Sequence, residues 1–112
     1  MAFDVVVSRR AASKINTAIS YIEDLCSNRP YAEQLYRSIE RSILELEQSA
    51  GFRIRDQAAS ELLKQDVYRI KLGKYKLLYV VDDEKKTIAV FSFFHQAQNL
   101  EALIRSDFAN MN

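Results

Sequence analysis

An α+β fold is predicted: an antiparallel sheet, in the order β-α-α-β-β-β-α, with a helical hairpin packed on one face. Three observations predict it. Two long segments in the first half repeat apolar residues every three and four positions. Val67 to Val81 alternates with period two around a two-residue turn. Thr87 to Phe94 is apolar on both faces, as a central or covered strand must be.

Phe3 to Val7 is a short β-rich run. Ser8 follows as an N-cap, because its hydroxyl accepts from the free amides of a first helical turn. Ala11, Ala12, Ile15, Ala18, Ile19, Ile22 and Leu25 then form one helical stripe. Cys26 continues that face and is expected in the core. Ser27-Asn28-Arg29-Pro30 breaks the helix, and Pro30 suits the first turn of the next, where its missing amide costs nothing. Ala32, Leu35, Ile39, Ile43 and Leu46 give the second helix its stripe, and Ser49-Ala50-Gly51 ends it. The two helices, spanning roughly Ser8 to Leu46, are expected to pack as an antiparallel hairpin. They should cover the sheet face that carries Tyr68, Ile70, Leu77 and Tyr79. Phe52 to Asp66 reads as a connector holding Arg53 and Arg55, with one or two helical turns at Ala58 to Leu63.

In the hairpin, Gly73-Lys74 suits a type II′ turn, with glycine supplying the positive φ. That turn sets Leu72 against Tyr75, Ile70 against Leu77 and Tyr68 against Tyr79 on an apolar face. The opposite face sets Lys71 against Lys76, beside Arg69. Like charges directly across a ladder are destabilising, so a converging cluster points to a site for an anion, on a face expected to stay uncovered. Asp82 to Lys86 is a polar turn. Asn99 caps a short last helix carrying Leu100, Leu103, Ile104 and Phe108.

At 112 residues, 48% apolar and 28% charged, residues 1–112 are expected to form a single domain. The net charge of +1 removes any argument for nucleic-acid binding from overall charge, and leaves only placement. Between Val67 and Val81 the charged residues are Arg69, Lys71, Lys74 and Lys76, with no acid among them. One cysteine excludes an internal disulfide and an all-cysteine metal site. No run reaches transmembrane length and Met1-Ala2-Phe3-Asp4 is no signal-peptide start, so a cytoplasmic location without membrane contact is expected. No P-loop, GxGxxG, HExxH or GxSxG motif occurs, and neither a metal nor a cofactor is expected. Tyr75, Tyr79, Phe91 and Phe93 read as core rather than as a base-stacking platform. His95, the one histidine, sits where the last strand leaves the sheet. Histidine serves acid or base chemistry near neutral pH, so His95 is the candidate proton-transfer group.

These segments together resemble the RelE/ParE superfamily of type II toxin–antitoxin systems, the plasmid stabilisation proteins. The helical pair YIEDLCSNRPYAEQLYRSIERSILELE and the stretch VYRIKLGKYKLLYVVDDEKKTIAVFSFFHQAQN carry the resemblance. It implies a toxin that arrests growth, with a cognate antitoxin protein as partner. In the ribosome-dependent mRNA endoribonucleases of that superfamily, basic positions fall on Arg69, Lys71 and Lys76. Lys76 and His95 would then be catalytic. A fourth basic position aligns near Gln96, and Gln96 and Gln98 join Arg69, Lys71 and Lys76 as RNA- or anion-binding candidates. A C-terminal catalytic tyrosine has no counterpart here. The ParE-like members often end the last strand in His-x-Arg-x-Asp, and His95-Gln96-Ala97-Gln98-Asn99 keeps the histidine alone. Those members bind and poison DNA gyrase without hydrolysis. Gyrase binding is the expected mechanism, with the ribonuclease, or an inactive member that still binds antitoxin, as alternatives.

Overall fold

The computed structural model describes residues 2–48, 53–96 and 100–111. Strand β1 (Asp4–Val7) leads into helix α1 (Arg9–Ser20), capped by the Ser8 hydroxyl, which accepts from the Ala11 amide at 3.1 Å. A π-helical turn at Tyr21–Leu25 ends that segment. Helix α2 (Arg29–Gln48) starts where Asn28 Oδ1 accepts from the Tyr31 amide. A short α3 (Gln57–Leu63) precedes β2 (Tyr68–Leu72), β3 (Tyr75–Asp82), β4 (Thr87–His95) and α4 (Leu100–Ala109). The predicted caps at Ser49-Ala50-Gly51 and Asn99 lie outside the described residues.

Among the described residues, four strands form one sheet in the order β1-β4-β3-β2. The β2–β4 meander is antiparallel as expected, and β2 pairs with β3 in the predicted register, Lys71 opposite Lys76 included. Gly73 has φ +63° while Lys74 is not in the positive-φ region, which is the pattern of a type II′ turn. The sheet is mixed rather than wholly antiparallel, because β1 lies parallel to β4. A bulge interrupts β4: Leu78 pairs with Ser92 and Tyr79 with Val90, so Phe91 is the extra residue.

Helices α1 and α2 cover the predicted face. Ala11, Ile15, Leu35, Ile39 and Leu46 pack there with Leu72, Leu77, Tyr79, Val90 and Phe93, and Tyr68 and Ile70 lie partly buried beside them. The opposite face was expected bare, and it is not. Ala59, Leu78, Phe91, Phe94 and Ile104 form a second core under α3 and α4. The reason is in β4, whose bulge turns both Phe91 and Ser92 to that side; apolar side chains there need a cover.

Cys26 is a second correction. It is exposed, and Leu25 with it at 76%. The π turn bonds the Cys26 amide back to Tyr21 O, five residues earlier. That wider turn breaks the 3.6-residue phase and rotates the end of the stripe away from the core.

Candidate functional site: a basic hairpin with a buried carboxylate

Arg69, Lys71 and Lys76 share one face of the β2–β3 hairpin, set there by the two-residue turn. An acid lies among them. Asp56, 5% exposed, sits at the head of α3 with Oδ1 accepting from the Ala59 amide at 2.9 Å. Its Oδ2 is 3.2 Å from Lys76 Nζ and 3.7 Å from Arg69 Nη1. Backbone bonds bring it there. Asp56 N donates to Val67 O at 2.8 Å and Arg69 N donates to Ile54 O at 2.9 Å, so the connector runs beside the outer edge of β2. The lysine pair is tolerable because Lys76 turns toward Asp56 while Lys71 stays exposed.

Burial alone would push the Asp56 carboxyl up. The Ala59 amide, Lys76 and Arg69 together outweigh it and hold the carboxyl below its ordinary range. A depressed folded value means that the stability it contributes is complete above the unfolded carboxylate pKa of about 3.9. It is lost as pH falls through the folded value. Urea unfolding followed from about pH 5 to about pH 2.5 should show a steep loss for the native protein. Asp56→Asn, which keeps a capping side chain, should give a flatter profile. Parallel profiles would show that Asp56 carries none of the acid sensitivity. Asp83, held low by the hydrogen bonds from Arg53, titrates in the same direction in both proteins.

His95 lies elsewhere. It pairs with Tyr75 in the ladder, and the two rings meet edge-on at 5.2 Å between centroids. Tyr75 stacks on Phe93 on the α1–α2 side, whereas Lys76 and its partner Phe94 face α3 and α4. His95 lines a cleft of about 550 Å³ with Lys14, Thr17, Tyr21 and Tyr75. Burial raises the Tyr75 phenol above its ordinary range, so it stays protonated near neutrality. The structure therefore brings Arg69, Lys71 and Lys76 together and sets His95 on the other side of the sheet. Gln96 is exposed in the turn after β4, its amide bonded to Lys74 O. Gln98 lies outside the described residues. Tyr79, Phe91 and Phe93 are core, as expected.

Sequence reasoning missed Asp56. An aspartate three residues before Ala59, at the head of a helical run, was a readable N-cap signal. Its reach to Lys76, twenty residues on, was not.

A sheet of this order, with helices on both faces, is similar to a solved structure of the E. coli toxin RelE, a double arginine-to-alanine mutant in the free state. The TM-score is 0.54, at 23% identity, over 99% of this chain and 95% of that one. The archaeal RelE–RelB complex from Pyrococcus horikoshii OT3 matches at TM-score 0.43 and 18% identity, over 88% of this chain and 100% of that one. The fold is RelE-like. Residues 5–100 match the family described as ParE toxin of type II toxin–antitoxin system, parDE, and the chain belongs to that family. Among curated proteins none matches the sequence significantly. No described helix is long and apolar enough to cross a membrane.

Proposed function

We propose that this toxin-family chain arrests growth in the cytoplasm by binding DNA gyrase, without catalysis, and that a cognate antitoxin neutralises it. Membership of the ParE toxin family supports the toxin role and the antitoxin partner. One observation favours binding over hydrolysis: His95 and the basic trio face opposite sides of the sheet, and Asp56 already holds two of the three cations. RNA cleavage needs a base within hydrogen-bond reach of the 2′-hydroxyl and cations on the phosphate beside it.

The second reading is an mRNA endoribonuclease, and the convergence of Arg69, Lys71 and Lys76 is what favours it. Purified toxin should inhibit supercoiling by gyrase and leave ribosome-bound mRNA whole. Removing one acid–base group typically costs about 10²–10⁴ in rate, so His95→Ala should abolish any cleavage that depends on it. Cleavage that disappears in His95→Ala, or in Lys71→Ala with Lys76→Ala, would establish the ribonuclease instead. Neither activity, with growth unaffected by expression, would leave an antitoxin-binding protein that poisons nothing.

A further inference from the structure

The basic face contains an anion of its own. Asp56 Oδ2 stands between Lys76 Nζ and Arg69 Nη1, where a phosphate oxygen shared by a lysine and an arginine would stand. Its position is set twice over, by the Ala59 amide on the side chain and by Val67 O on the backbone. Neither constraint needs a charge, since asparagine and serine cap a helix as well as aspartate does. What the charge adds is neutralisation of the cations.

We propose that Asp56 is a tethered internal anion that masks a phosphodiester-binding site formed by Arg69, Lys71 and Lys76. A carboxylate on the same chain competes at an effective concentration that a free anion in solution does not match. The mask is open to solvent on one side. A cleft of about 600 Å³ between α3 and α4 is lined by Asp56, Lys76, Lys64 and Arg105, with Glu61 and Glu101 on its wall. Lys71 and Lys74 extend the cationic face beyond it, both exposed. A nucleic-acid strand crossing the hairpin would meet Lys71 and the exposed part of Arg69 directly, but would engage Lys76, hydrogen-bonded to Asp56 at 3.2 Å, only by displacing the carboxylate. The inference is independent of the gyrase reading, because it is tested on nucleic acid alone.

The test measures binding of short fluorescent single-stranded RNA and DNA oligonucleotides to the full chain, at several salt concentrations. Asp56→Asn should bind at least about tenfold tighter than the native protein. Its logarithmic salt slope should steepen by about 0.7 for each phosphate newly engaged. Adding Lys76→Ala should return both to native values. Asp24→Asn, an exposed site that changes net charge equally, should leave binding as it was. Tighter binding of RNA than DNA would identify a 2′-hydroxyl contact, and equal binding would identify the phosphodiester alone; both support the mask. Among folded variants, three results would overturn it: an Asp56→Asn that binds no better, a gain that survives Lys76→Ala, or a gain matched by Asp24→Asn. Asp56→Ser, another capping residue, guards against a fault peculiar to asparagine. If circular dichroism shows that neither variant folds, the carboxylate is a structural strut and the mask is refuted.

Discussion

Phe91→Ala is expected to lower the free energy of unfolding by about 3–5 kcal/mol, the range for deleting a buried aromatic side chain. Phe91 is fully buried, and its ring meets Phe108 of α4 edge-on at 5.4 Å between centroids. It is also the extra residue of the β4 bulge, so its side chain depends on a backbone irregularity that a neighbour cannot reproduce. The cavity would open between the sheet and α4, and both walls would lose contacts. Urea unfolding gives the magnitude. Amide exchange gives the location: protection should fall first in α4, while α1 and α2, on the other face, should keep theirs until global unfolding. A loss under about 1 kcal/mol would mean that the second core contributes little and that α4 is held by something else.

The second large effect belongs to Asp107, the other candidate for holding α4. Asp107 is fully buried and accepts from the Ser92 hydroxyl at 2.7 Å and from Lys14 Nζ at 2.5 Å. Arg10 Nε lies 3.4 Å from its second oxygen. The strands explain this contact between opposite layers. Among the described residues, strand β1 pairs with Thr87 to Val90 alone, and α1 packs along β4 from there, which lets Lys14 reach the carboxylate on the α4 side. Breaking a buried ion pair typically costs about 3–5 kcal/mol. Here Lys14 and Arg10 are partly exposed and can rehydrate, so Asp107→Ala should cost less, about 2–3 kcal/mol. In a double-mutant cycle with Lys14→Met the two losses should not add, with a coupling of about 1 kcal/mol or more. Additive losses in urea unfolding would show that the pair is a neighbour contact and not a latch between layers.

The local steps of the fold were legible in the sequence. Ser8 caps α1 because a hydroxyl at that position accepts from a first-turn amide, which depends on three residues of chain. Gly73-Lys74 sets the hairpin register because a two-residue turn leaves one alignment, and that alignment puts Arg69, Lys71 and Lys76 on one face. The stripes of α1 and α2 are repeats along single helices, and the face they cover followed from the need to bury both partners. Tertiary structure decided the rest. A π turn moved Leu25 and Cys26 out of phase, and no 3.6-residue repeat can announce a change in its own period. The bulge at Phe91 adds a second large aromatic to the face of β4 that already carries Phe94, and α3 and α4 cover this side, which was expected to stay open. Lys14 meets Asp107 across 93 residues, and Asp56 meets Lys76 across 20. Partners that far apart are chosen by which surfaces the elements bury, and that choice gives the cations of this toxin-family chain a carboxylate while setting His95 on the opposite side of the sheet.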